Sequence, residues 1–204
     1  MNCLIMATFI EAKPFIEMIP LTKCNDTPFP VFRKEDLVLV ISGMGKVNAA
    51  MAAAYGCMNY RPDCVLNLGA AGATAFSASL GDIYQVKEAI EYDGFPFKSD
   101  KPPSYTPDLL PGFQTATIAT QDIPVIDPKH REAVSVSSEL VDMEASAIIQ
   151  VCKKFQTRCV LFKFVTDTPD HTRDGEIEKH IRQYRMQFYR FIADSVLPVL
   201  NVEK

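Results

Sequence analysis

No two of the six cysteines (Cys3, Cys24, Cys57, Cys64, Cys152, Cys159) form a CxxC pair, so neither a metal-binding nor a redox pair is signalled. Most lie among apolar residues, where a free cysteine acts as a small hydrophobe, and a reducing, cytosolic setting is the expectation. A clustered basic patch is also missing. Lysine and arginine number 21 against 25 acids, for a net charge of −4, which excludes a nucleic-acid or anionic-membrane surface. The basic residues from His180 to Arg190 are spaced among acids and aromatics and read as a solvated helix face. Long apolar runs are absent as well. The start, Cys3 to Ile10, is interrupted by Glu11 and Lys13 and has no basic residue before it, so it reads as a first strand rather than a signal peptide or membrane span. There is no internal repeat, no low-complexity segment and no GxGxxG fingerprint; SGMGKVNAA matches that pattern only loosely.

What remains is a chain of 204 residues, 48% of them hydrophobic, long enough for one substantial core and read as a single domain over 1–204. Strands are expected at Cys3–Ala7, Leu37–Ile41 and Cys64–Leu68, after a turn within Leu80–Val86, at Gln114–Ala119 and at Cys159–Val165. Helices are expected at Glu11–Met18, Asn48–Met58, from the VDMEASAI stretch (Val141–Ile148) onward, and at Glu176–Leu197, with a loop through Pro20, Pro28 and Pro30. Strands alternating with helices imply a three-layer αβα sandwich. Six of the nine glycines fall between Gly43 and Gly81, so the permissive backbone gathers at strand ends, where a ligand can approach closely. Half of the fourteen prolines fall from Pro96 to Pro128, among Phe95, Phe97, Tyr105 and Phe113. That segment reads as a lid, a subunit contact or ordinary loop packing.

Acids sit in unusual places in this pattern. In VDMEASAI, helical spacing puts Glu144, Ala147, Ile148, Val151 and Phe155 on one apolar face. A buried anion there is costly unless paired or placed at the positive end of a helix; otherwise Asp142 and Glu144 are simple helix caps. Glu11 follows the first strand, where open α/β sheets place ligands, and Asp167 follows the last. Three carboxylates converging on one cleft suit glycosidic chemistry, in which one acid protonates the leaving group and another activates water.

The motifs ISGMGKVNAA, VLNLGAAGA with LGDI, VDMEASAI and VTDT occur here in the order found in the nucleoside phosphorylase and nucleosidase superfamily. In detail the chain most resembles bacterial 5′-methylthioadenosine/S-adenosylhomocysteine nucleosidases, over nearly its whole length. The resemblance implies an αβα sandwich around a mixed, partly barrel-like sheet, a homodimer, a small-molecule nucleoside substrate, and neither metal nor organic cofactor. It also implies roles at matching positions. Glu11 would be the base that deprotonates water, Asp167 the acid that protonates N7 of the purine, and Glu144 the group that binds the ribose hydroxyls. Met143 would lie under the sugar, with Asp142 beside it. Gly69–Gly72, including Ala70 and Gly72, would line the pocket, and Gln121–Val125 would face the base.

Two positions depart from the family pattern: Ala70 stands where a serine is common, and Lys163 where an arginine is common. A lysine keeps the charge and loses the bidentate fork. Lys163 is expected to reach towards Glu11 and Glu144; the alternative is a core lysine with its head in solvent. The expected activity is hydrolysis of a 5′-modified purine nucleoside. Alternatives are a futalosine-type nucleosidase, a phosphorylase, whose phosphate Glu11 would repel, and a non-catalytic nucleoside-binding domain.

Overall fold

The first expected strand runs from Asn2 to Met6 (β1) and is wholly buried. Its side chains alternate in the manner of a strand covered on both faces: Cys3 and Ile5 enter one core cluster, Leu4 and Met6 the other. The computed structural model describes residues 1–75, 78–94, 101–171 and 174–202. Phe95 and Phe97 of the aromatic, proline-rich segment lie outside the described residues.

After β1, helix α1 (Phe9–Met18) carries Pro14 inside it. The segment read as a loop through Pro20, Pro28 and Pro30 instead holds an antiparallel hairpin, β2 (Thr22–Asn25) and β3 (Val31–Lys34), which pairs on to β4 (Leu37–Ile41). Every residue of β2 is exposed, so it lacks the apolar pattern that marks a strand. Helix α2 (Lys46–Tyr60) starts two residues before the expected Asn48 and leads to β5 (Cys64–Ala73). That strand runs on through Gly69–Gly72, so those residues are part of the sheet rather than a loop after it. Then come β6 (Ile83–Glu91), β7 (Ser104–Tyr105), β8 (Thr115–Thr120), helix α3 (Pro128–Ser135) and β9 (Leu140–Asp142). None of β7, α3 and β9 was expected: the first two residues of VDMEASAI, Val141 and Asp142, are strand, and the helix, α4 (Ala145–Phe155), begins only at Ala145. Phe155 is also 43% exposed; it closes the helix outside the core. Strand β10 (Arg158–Asp167) precedes α5 (Asp174–Phe191), which passes through a π-helical turn at Ile192–Val196 into α6 (Leu197–Val202).

The sheet order is β10-β6-β8-β9-β5-β1-β4-β3-β2, and β10 also pairs in parallel with β5. Five strands (β5, β9, β8, β6, β10) thus close into a ring, which makes the mixed sheet partly barrel-like. Helices cover both faces. Ala49, Ala52 and Ala53 of α2 and Ile148, Ile149 and Cys152 of α4 pack on one side; Phe15 of α1 and Phe188 of α5 pack on the other. The alanines let α2 lie close to the sheet, with Gly56 so near β1 that a Cβ there would stand 3.0 Å from Cys3 Sγ. Each fully buried Val, Leu, Ile or Phe is worth about 1.5–3 kcal/mol. Double coverage therefore makes the central strands the firmest support for whatever stands at their ends.

Five of the six cysteines are buried and all are free thiols, and burial raises Cys3 to about 12, as suits inert packing groups. Phe113 packs edge-on against Phe162 and Phe191 with ring centroids 5.1 and 5.7 Å away, and Tyr105 packs against the α2/α4 side of the core. These two aromatics are interior packing, not a lid.

Candidate active site

The C-terminal ends of β1, β5 and β10 open on a cavity of about 170 Å³ lined by Thr8, Glu11, Ala70, Gly72, Met143, Glu144 and Asp167, with Ile123–Ile126 forming one wall and Ile177 and Ile181 of α5 another. Among the described residues its lining includes no lysine, arginine or histidine.

Glu11 is placed by a capping box. Thr8 is the N-cap of α1 and accepts from the Glu11 N–H, while Glu11 Oε2 accepts from the Thr8 N–H at 3.0 Å and from its hydroxyl at 2.6 Å. Such a box fixes the helix start and here also aims the carboxylate. Its second oxygen, Oε1, accepts from the Ala70 N–H at 2.8 Å. A Cβ on Gly69 would come 2.8 Å from that oxygen, so the strand must be bare there for Glu11 to lie against it. Glu11 is 4% exposed; it is not a surface acid.

Glu144 ends the β9-to-α4 connection as the N-cap position of α4, but its side chain makes no cap bond. It crosses instead to the start of α2, where Oε1 accepts from the Gly45 N–H at 3.0 Å. Gly45 has φ +96° and is the N-cap of α2, so the carboxylate faces the positive end of that helix. Asp122 supports the same end by accepting from the Lys46 N–H at 2.8 Å. Burial pushes the Glu144 carboxyl up to about 7; the Asp142 and Glu11 charges add to the rise, and Lys163 and the Gly45 N–H oppose it.

Lys163 is 1% exposed, so its head does not reach solvent. Nor does it bridge Glu11 and Glu144: its ammonium bonds Asp142 Oδ2 at 2.8 Å. Burial lowers its pKa, but Asp142, Glu144 and Glu11 together outweigh that and hold it above the ordinary lysine value. Asp142 sits on the cavity wall with its oxygens engaged. Oδ1 accepts from Thr120 Oγ1 at 2.7 Å, and Oδ2 accepts from the Ala145 N–H at 2.8 Å as well as from Lys163. Asp142 therefore caps α4 and anchors Lys163.

Asp167 closes β10. The pairing of β10 with β5 slips between Val165 and Asp167, a bulge that re-aims the side chain after it. Its Oδ1 accepts from Thr166 Oγ1 at 3.1 Å, and its Oδ2 accepts from Arg131 Nη2 at 2.6 Å. A Cβ on Gly72 would meet Asp167 Oδ2 at 2.5 Å, so glycine is required for the carboxylate to lie where it does.

The structure thus brings Glu11, Glu144, Asp167, Met143, Ala70, Gly72 and Val125 to one cavity, with Asp142 and Lys163 as a buried pair at its wall. Sequence reasoning missed Thr8 and Arg131, and it marked Gly45 only as permissive backbone, not as the donor to Glu144. The first had a visible signal, since Thr8 and Glu11 have the spacing of a capping box.

Residues 11–197 match the phosphorylase superfamily. The chain is 33% identical over 194 residues to the 5′-methylthioadenosine/S-adenosylhomocysteine nucleosidase of Geobacillus kaustophilus, covering 83% of this chain and 81% of that protein. It is 32% identical to the Bacillus velezensis protein of the same name, over 72% of this chain and 75% of that one. Among solved structures, 5′-methylthioadenosine nucleosidase of Arabidopsis thaliana superposes with a TM-score of 0.85 at 18% identity, over 98% of this chain and 94% of that one. A futalosine hydrolase mutant of Helicobacter pylori superposes with 0.84 at 14% identity, over 96% and 99%.

Proposed function

The chain belongs to the phosphorylase superfamily and, within it, to the family of the 5′-methylthioadenosine/S-adenosylhomocysteine nucleosidases, and from that premise we propose that it hydrolyses the N-glycosidic bond of a 5′-modified purine nucleoside, releasing the free purine. The observation that carries this is Glu11, a buried carboxylate held by Thr8 and Ala70 on a cavity wall that, among the described residues, has no lining cation. A phosphate nucleophile would need a positive charge there, whereas a water molecule needs an acceptor for its proton.

The bond from C1′ to the purine nitrogen breaks with its electrons passing into the base, leaving oxocarbenium-like character on the sugar. Asp167 gives a proton to N7, so the base departs neutral. Glu11 accepts a proton from water as its oxygen bonds C1′. Glu144 accepts from the ribose hydroxyls, which it can do through both oxygens only when ionised. Met143 supplies an apolar surface under the sugar, and Ile123–Val125 face the base. No metal or organic cofactor takes part in this reading.

Two further parts of the proposal concern assembly and place. Exposed Val47, Met51 and Met58 on α2, with Met44 before it and Phe9 nearby in sequence to Thr8, give an apolar surface larger than a solvated helix needs, which supports a homodimer. Light scattering at micromolar concentration that reports only monomer would contradict it. Free thiols suit a reducing, cytoplasmic setting; no described helix is long and apolar enough to cross a membrane.

The reaction is tested by purine release from 5′-methylthioadenosine, S-adenosylhomocysteine, futalosine and adenosine, with and without phosphate. Release at the same rate in both conditions, with free sugar as product, is expected. A rate that rises in proportion to phosphate, with a sugar 1-phosphate as product, would refute it.

A further inference from the structure

Arg131 is a buried arginine on a short helix whose other buried residue is Val134. It is 2% exposed and does not line the cavity, yet three separate elements end on its guanidinium. Nη1 donates to the Ala73 carbonyl at the end of β5 at 2.5 Å. Nη2 donates to the Val125 carbonyl at 2.5 Å and to Asp167 Oδ2 at 2.6 Å. Nε is buried without a partner, so among the described residues the group is held by these three bonds. The helix that presents it is itself capped, by Asp127 accepting from the His130 N–H at 2.9 Å.

We propose that Arg131 is the positioning residue of the leaving-group end of the site: one guanidinium ties the Asp167 carboxyl and the Ile123–Ile126 wall to the end of β5, so that the proton donor and the surface facing the purine keep a single mutual geometry. The proposal rests on Asp167 being the acid of the reaction proposed above. Its chemistry follows from the donors. An arginine has no acceptor, so the Asp167 oxygen that faces it must accept, and the transferable proton belongs on Oδ1. The Thr166 hydroxyl that touches Oδ1 also reaches the Ala71 carbonyl at 3.4 Å, so it can turn aside when Oδ1 carries hydrogen. A planar fork holds three acceptors in fixed directions; a lysine offers three donors from one point and cannot reproduce that spread.

Two experiments test it. In the first, kcat and KM for purine release are measured around a double-mutant cycle. Arg131→Met is expected to lower kcat on the order of 10²-fold, the cost of a displacement near 1 Å at a reacting group, with a smaller change in KM. In an Asp167→Asn background the same change should add less than about threefold, because residues that act as a unit are not additive. The same loss in both backgrounds, or a raised KM with kcat unchanged, overturns the proposal. Arg131→Met strands a buried carboxylate and is destabilising, so if circular dichroism shows it unfolded, Arg131→Lys supplies that leg of the cycle. The second experiment is independent of the reaction: a crystal structure of Arg131→Lys. Movement of the Asp167 carboxyl or of Ile123–Ile126 while β5 stays in place is expected; an unmoved site overturns the proposal. A parent enzyme that releases no purine would refute the hydrolase reading and would leave the crystallographic result to decide this one.

Discussion

Replacing Glu144 with glutamine separates the cost of a buried carboxylate from its use. In the folded chain the Glu144 carboxyl is raised from an ordinary 4.5 to about 7, chiefly by burial. At about 1.4 kcal/mol for each tenfold change in proton affinity, that difference amounts to about 3 kcal/mol of stability linked to pH. The sign follows from which state holds the proton. Below pH 4.5 both folded and unfolded chains are protonated at this position, and the group's contribution is fully present. As pH rises towards 7 the unfolded chain releases the proton while the folded chain retains it, so stability falls; above 7 the loss is complete. Glutamine keeps an oxygen for the Gly45 N–H and cannot ionise. Urea denaturation of both proteins at pH 4.5 and pH 8 is the assay. The stability of Glu144→Gln relative to the parent should grow by about 3 kcal/mol between the two, because titrating groups remote from this position act on both chains alike. A difference that stays flat would refute the reasoning that burial sets this carboxyl. Purine release should meanwhile fall sharply, since a neutral amide has one acceptor oxygen where the diol needs two.

Lys163→Met removes the strongest influence holding the Glu144 carboxyl down, so the acidic limb of the pH–rate profile should move to higher pH, and the unpaired Asp142 should cost about 3–5 kcal/mol in urea denaturation. A limb that does not move would mean that Lys163 has no hold on Glu144. Gly72→Ala puts a methyl 2.5 Å from Asp167 Oδ2 and 3.0 Å from Val141 Cγ2; purine release should drop on the order of 10²-fold, and parental turnover would show that the position of Asp167 is immaterial. Asp167→Asn should lose roughly 10²- to 10⁴-fold in turnover while calorimetry still detects binding of the nucleoside; a rate within about threefold of the parent would leave Asp167 no role as acid.

The parts of this fold that show in the sequence are those where burial is symmetric. LVLVI is a continuous apolar run, and CVLFKFV one broken only by Lys163, because β4 and β10 are covered on both sides, and they stand within a residue or two of where the pattern places them. The hairpin β2–β3 does not show, since TKCN is exposed at every position and lies between Pro20 and Pro28. Strand β9 is hidden because LVD is too short to alternate and merges with the helical spacing of the residues after it. In the site, Glu11, Glu144 and Asp167 stand out as acids beside apolar runs. Arg131 does not: PKHREAVS has the composition of a solvated helix, and only the Asp127-Pro128 start, a cap followed by proline in the first turn, marks it as a helix. The partner of Lys163 was likewise beyond reach, because β9, which carries Asp142, and β10, which carries Lys163, do not pair with each other and meet only where both pair with β5.

The ring of five strands closes by pairing Cys64–Gly72 of β5 with Arg158–Asp167 of β10, and this sets the order in which the protein can be made. The partner of β5 on that side is made well after β5 itself, and until it arrives β5 and β6 each present an open edge. A long-range pairing of this kind has its loop entropy paid before its contacts form, so a nascent or refolding chain passes through a stage with a bare parallel edge, the kind of surface on which aggregation begins. Because Asp167 is the last residue of the closing strand, that vulnerable stage also lacks one of the three acids that line the cavity: the ring and the cavity are completed by the same event.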